Sequence, residues 1–172
     1  METNSLTLVF PTAEHERAAL AYRQEYFDIG VLDINGDGGL DYASDYGAWL
    51  LKIAYDMTTE HEGHVPATTY FSVLGGKIIG TVQIRHYLNA ELTVKGGHIG
   101  YGIAPSERRR GYGTAQLRLA LEKCREMGIT RVLITCAKEN IASARTIQRC
   151  GGVLENEVDH EGGVIQRYWV EL

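Results

Sequence analysis

Apolar positions along this chain recur with two different periods, and the switches between them mark its elements. Leu6 to Phe10 is a short apolar run that reads as a first strand. Beyond Pro11, with Thr12 as a candidate N-cap, Ala19, Tyr22 and Tyr26 fall on one face at helical spacing, and Gly30 stops the helix. Residues 31 to 43 break the pattern with glycine and aspartate and read as a loop. Ser44 or Asp45 caps a second helix, which carries Tyr46, Trp49, Leu50 and Ile53 on one stripe. Residues 57 to 66 are polar, end in Pro66 and read as a connection. The period then changes to two. Thr68 to Leu74 is rich in β-branched and aromatic residues, and Gly75-Gly76 signals a hairpin turn. From Lys77 to about Tyr87, Ile78, Gly80, Val82 and Ile84 alternate with Ile79, Thr81, Gln83 and Arg85. Asn89 to Gly96 connects to a strand from His98 to Ile103, with Ile99, Tyr101 and Ile103 on one face.

The helical period returns at Gly111, with Leu117, Ala120, Leu121 and Cys124 as the buried stripe and Gly128 at the C-terminal end. Arg131 to Cys136 is nearly all apolar, as expected of a strand covered on both faces. Asn140 to Cys150 forms a short helix stopped by Gly151-Gly152. Val153 to Val158 and Val164 to Val170 read as a closing hairpin around Asp159 to Gly163. No repeat, low-complexity tract or boundary interrupts this order, so residues 1–172 read as a single domain.

Composition narrows the function. The chain has 172 residues, 44% of them hydrophobic and 23% charged, which is a globular balance. Its net charge of -5 disfavours a general nucleic-acid binder and makes the basic run Arg108-Arg109-Arg110 stand out as a focused anion site. Cys124, Cys136 and Cys150 are too few and too widely spaced for a disulfide framework or a metal clip, which fits a reducing cytoplasm. Met1 to Ser5 carries no basic segment followed by an apolar run, so no leader is expected. No window approaches the roughly 18 continuous apolar residues of a membrane span.

The chemistry concentrates in Ile103-Ala104-Pro105-Ser106-Glu107-Arg108-Arg109-Arg110-Gly111-Tyr112-Gly113-Thr114. A strand runs into a basic, glycine-bearing loop that opens a helix. Glycines admit phosphate oxygens to the backbone, and the free N–H groups of a helix start point at them. A Walker-type loop is excluded because no lysine follows Gly113, and a dinucleotide fingerprint because its third glycine is replaced by Gln116. The spacing Arg108-x-x-Gly111-x-Gly113 resembles the acyl-CoA-binding loop of the GCN5-related N-acetyltransferases, the GNAT family. A second stretch, Asn140-Ile141-Ala142-Ser143, resembles that family's N-x-x-[AS] helix. The order of elements matches from end to end.

The resemblance implies an α/β (α+β) GNAT fold: about seven strands in a twisted mixed sheet, with helices on both faces. It implies acetyl-CoA as cosubstrate, no metal, and an amine of a small molecule or peptide as acceptor, with no nucleic acid or membrane as partner. Homodimers are common in the family. It places Arg108, Arg109, Arg110, Gly111, Tyr112, Gly113 and Thr114 at the pyrophosphate, and the backbone of Gly102 and Ile103 at the cofactor arm and the thioester oxygen. Asn140 and Ser143 fall at the arm as well, Asn140 also serving as a helix cap. Many members carry a tyrosine in the second helix that protonates the leaving thiolate. Ile147 stands there in this chain, which leaves Tyr101, Tyr168 or water as donors. His98 is the leading candidate base, Glu91 a weaker one, and Cys136 and Cys150 read as inert core residues.

Asp33-Ile34-Asn35-Gly36-Asp37-Gly38-Gly39-Leu40-Asp41 follows the first nine positions of an EF-hand loop but has Ser44 where the bidentate glutamate belongs. Calcium binding is therefore one reading. The other, drawn from the resemblance, is an acidic wall of the acceptor site suited to a cationic amine. An acyl-CoA-binding or sensing domain without catalysis is the alternative to an enzyme.

Overall fold

The computed structural model describes residues 5–172. Most of the segment on which the absence of a leader was judged, Met1 to Asn4, lies outside them. The elements are β1 (Thr7–Val9), α1 (Glu16–Asp28), α2 (Tyr46–Asp56), β2 (Ala67–Leu74), β3 (Lys77–Arg85), α3 (Ala90–Val94), β4 (Ile99–Ile103), α4 (Tyr112–Glu126), β5 (Arg131–Ala137), α5 (Ile141–Arg149), β6 (Val153–His160) and β7 (Gly163–Glu171). The expected order is present with one addition. α3 occupies what read as a plain connection, because five residues are too few to display an apolar stripe. Its cap is Asn89, whose side chain accepts the Leu92 N–H at 2.9 Å.

Seven antiparallel-paired strands form two sheets, β1-β2-β3-β4 and β5-β7-β6. α1 and α2 cover one face of the four-stranded sheet, closing a cluster that includes Tyr22, Leu40, Trp49 and Phe71. α4 covers the other and α5 packs on α4 and β5, where Val82, Leu117, Ile134, Ile147 and Tyr168 share a second core. The stripes expected on α1, α2 and α4 are the buried faces, with Leu50 only half-buried.

The two sheets meet at β4 and β5, which share no ladder. They are pinned at one point. The His98 N–H donates to the Leu133 carbonyl at 2.8 Å, and the Leu133 N–H donates back to His98 Nδ1 at 2.9 Å. Beyond that clip β4 has an edge free of strand partners.

Two packing details position this edge. Gln116, on the buried face of α4, donates from Nε2 to Ser72 Oγ (2.7 Å), the Thr81 carbonyl (3.1 Å) and the Gly102 carbonyl (3.3 Å), stitching the helix to β2, β3 and β4. On the opposite face the loop after α1 lies directly on β4. Gly36 has φ +77, and a side chain there would collide with the Gly100 carbonyl, so only glycine permits this seating.

Candidate functional site

The basic loop builds an anion cradle. After β4 the chain makes a short turn at Pro105–Glu107, then passes through left-handed backbone at Arg109 (φ 63) and Gly111 (φ 83) into α4. The first intrahelical bond runs from the Ala115 N–H to the Gly111 carbonyl. Among the described residues the N–H groups of Tyr112, Gly113 and Thr114 have no protein acceptor, as at any uncapped helix start. A Cβ on Gly111 would meet nothing within 4 Å, so the approach is open.

The three arginines, equivalent in the sequence, differ here. Arg108 turns back over the end of β4: its Nε donates to the Ile103 carbonyl at 3.2 Å, and its guanidinium lies 5.4 Å from the Tyr26 ring centre. Arg110 pairs at 3.2 Å with Glu107, which is buried and also bound by Lys77 at 2.6 Å. The Lys77 hydrogen bond holds Glu107 below the usual carboxylate range. Arg109 is exposed and makes no ion pair among the described residues. Arg109, Gly111, Tyr112, Gly113 and Thr114 therefore form the cradle, with Arg110 at its margin. Arg108, expected at the pyrophosphate, is exposed and is held at the end of β4 by a carbonyl and an aromatic face.

The free edge of β4 corrects an expectation. The Arg85 N–H donates to the His98 carbonyl and the Ala104 N–H to the Ile79 carbonyl, so the even-numbered residues face β3 in the ladder. The main-chain amides of Tyr101 and Ile103 then point to the free edge, and that of Gly102 does not. Gly102 serves by lacking a side chain, since a Cβ there would press on Tyr26 Oη and the Asn35 carbonyl. The Ile103 carbonyl is taken by Tyr26 Oη at 2.8 Å as well as by Arg108. Its N–H is the part left for a ligand.

Across the gap, Asn140 caps α5 through the Ser143 N–H at 3.2 Å, and Ser143 Oγ lies 3.0 Å from Tyr101 Oη. Burial pushes the Tyr101 phenol up to about 12, so it keeps its proton at neutral pH. Tyr168 is buried and donates to Gln166 Oε1 at 2.9 Å. Cys124, Cys136 and Cys150 are free thiols, each raised by burial. Ile147 is wholly buried in the core.

His98 does not fit the role of base. Its Nδ1 accepts the Leu133 N–H, which leaves the neutral ring's proton on Nε2 and no free lone pair. Burial, with the charge of Arg85 second, holds it down to about 4. It is a structural clip between β4 and β5.

On the α2 side of the four-stranded sheet opens a polar cleft of about 570 Å³. One wall is the aspartate loop after α1, another the end of α2 and the loop that follows, and β3 forms the floor through Gln83 and Arg85. The tip of the β6–β7 hairpin and Glu91 of α3 stand at its rim. The aspartate loop is a self-capped turn. The Asp37 carboxylate accepts the N–H groups of Gly39 (2.8 Å) and Asp41 (2.7 Å), and that of Asp41 accepts those of Ile34 and Tyr42. Burial raises Asp37 well above the usual range. With these carboxylates turned onto their own backbone, the EF-hand reading gains no ligand set. Among the described residues no three His, Cys, Asp or Glu side chains are grouped to hold a metal ion.

The cleft also holds a pair that the sequence reading missed. His61 Nε2 lies 2.7 Å from Asp56 Oδ1, while Lys52 Nζ lies 2.6 Å from Asp56 Oδ2. The signal available was His61 following the end of a helix whose last residue is aspartate, in a stretch that polarity alone marks as a connection.

A parted sheet, a helix start open to an anion and a polar cleft beside them define an acetyltransferase fold. The family model described as acetyltransferase (GNAT) matches residues 40–152, and the chain belongs to that family. No curated protein sequence matches it. Solved structures share the fold at low identity. The acetyltransferase from Salmonella typhimurium that modifies the N-terminal serine of ribosomal protein L7/L12 superposes with TM-score 0.70 at 16% identity, covering 100% of this chain and 98% of that one. The microcin C7 self-immunity acetyltransferase MccE, in complex with acetyl-CoA and AMP, gives 0.69 at 18% identity, covering 99% and 94%. AAC(6')-Ib, in complex with ribostamycin and coenzyme A, gives 0.67 at 19% identity, covering 97% and 93%. No helix among the described residues is long and apolar enough to cross a membrane.

Proposed function

We propose that the chain is an N-acetyltransferase that moves the acetyl group of acetyl-CoA to a primary amine of a small molecule or peptide, with residues 1–172 acting as one domain. The observation that carries this reading is the open helix start at Tyr112–Thr114 lying at the end of a strand whose Tyr101 and Ile103 amides face a free edge. The cradle residues hold the diphosphate, aided by Arg109. The Tyr101 and Ile103 amides take the cofactor arm and steady charge on the thioester oxygen. Asn140 and Ser143 border the arm. Tyr101, oriented by Ser143, gives its proton to the departing thiolate, the part Ile147 cannot play. His61, held by Asp56, takes a proton from the amine, which in water is protonated until about pH 10. Three free thiols suit a reducing compartment.

The second reading, an acyl-CoA sensor, is favoured by Ile147 and by the locked His98. One experiment separates them: acetyl-CoA calorimetry beside an acetyl-transfer screen over polyamines, aminoglycosides, amino acids and peptide N-termini. Gly111→Glu should weaken acetyl-CoA at least about tenfold by placing a carboxylate at the anion cradle, with Gly111→Asn as a control for the left-handed backbone. Tyr101→Phe and His61→Asn should leave that affinity intact and lower turnover by about 100-fold or more. Unchanged binding in Gly111→Glu overturns the cradle. Tight binding without transfer to any amine favours the sensor.

A further inference from the structure

The cleft contains one cation without a counter-charge. Its other two, Lys52 and Lys95, pair with Asp56 at 2.6 Å and Glu161 at 3.8 Å. Arg85 pairs with no carboxylate among the described residues. Among the described residues its side chain donates only from Nη1, to the carbonyls of Gly96 (2.9 Å) and Gly97 (3.3 Å). Nη2 lies beside β4, 3.3 Å from where a Cβ on Gly100 would sit. The guanidinium is largely buried, and its surroundings disfavour its charge. A desolvated guanidinium that lines a cleft with a donor edge unpaired is costly unless an anion completes it. A carboxylate matches that edge in shape and charge.

The geometry points to Arg85 as the receptor for a carboxylate on the acceptor, making the substrate a compact amino acid that carries amine and carboxylate close together. This rests on the proposed acetyl transfer. If the thioester lies at the Tyr101–Ile103 edge, Arg85 beside Gly100 is only two or three strand residues away, about 7–10 Å. An amine a few bonds from the bound carboxylate reaches that edge, and a long polyamine gains nothing from Arg85. Asp33, Glu62 and Glu91 in the outer cleft have no ion-pair partner among the described residues and attract the cationic amine.

The test compares each amino acid with its carboxamide and with the amine that lacks the carboxyl group, on the wild-type protein and on Arg85→Gln and Arg85→Lys, with acetyl-CoA affinity measured alongside. The acid should be preferred by about 10- to 100-fold in kcat/KM, as a charge-assisted pair warrants. The preference should vanish in Arg85→Gln and survive in part in Arg85→Lys, with acetyl-CoA affinity unchanged. Equal rates for acid and carboxamide, or a preference that persists in Arg85→Gln, overturn the inference. Should Arg85→Gln fail to fold, the acid–carboxamide comparison on the wild type decides alone. Binding of acetyl-CoA without transfer to any amino acid overturns this inference and leaves the cofactor site standing. Absence of acetyl-CoA binding overturns the reading beneath it as well.

Discussion

His98 shows how a residue's role depends on what its ring nitrogens meet. A free imidazole titrates near 6.5, and in the fold His98 is held to about 4. Between these values only the unfolded chain takes up the proton, so stability is full above about pH 6.5 and is lost as the pH falls toward 4. The loss is at most about 3 kcal/mol. Denaturant unfolding of His98→Gln should show a correspondingly flatter dependence across that window. An unchanged slope would mean that burial does not hold the His98 ring low in the fold. Asp37, raised by burial, works in the opposite sense, but it is present in both proteins and cancels in the comparison. The sequence marked His98 correctly as a special position beside β4. It could not show the bond to Leu133, because the two residues lie on different sheets. The contacts of Arg108 were hidden for the same reason: Tyr26 and Ile103 meet it only after folding.

Elements were more legible than residues. Stripes, alternation and apolar runs placed α2, α4 and the strands to within a residue or two, while α1 begins three residues later than expected, after a short turn at Ala13–His15. α3 was too short to display a stripe. Within α4 the stripe hid an exception. Gln116 is wholly buried, and its Nε2 donates to groups on three strands, of which Ser72 Oγ lies outside the ladders. Gln116→Leu keeps the bulk and removes those donors, leaving the buried Ser72 Oγ without its partner. Such a change should cost about 2–3 kcal/mol, read from the midpoint of urea unfolding, with the denaturant slope unaltered. A loss below about 0.5 kcal/mol would show that the helix holds the sheet by apolar packing alone.

At the scale of the whole molecule, the division of seven strands into four and three is what the sequence concealed. Each strand pattern was visible, but a missing ladder leaves no trace in either partner. The cradle and the cleft both border this division, so a ligand there joins halves that touch through few polar bonds. Acetyl-CoA at about 100 times its dissociation constant should add about 2.7 kcal/mol and raise the melting temperature by about 5–10 °C. Gly111→Glu should show no such rise at the same concentration. Equal shifts in both proteins would place the ligand elsewhere.

The seating of Gly36 against the Gly100 carbonyl leaves no room for a side chain between the aspartate loop and β4. One wall of the polar cleft is thereby tied to the strand along which the proposed acyl donor would lie. New acceptor preferences would then arise by exchanging the side chains that hang from the wall. Lengthening it would tilt that strand too.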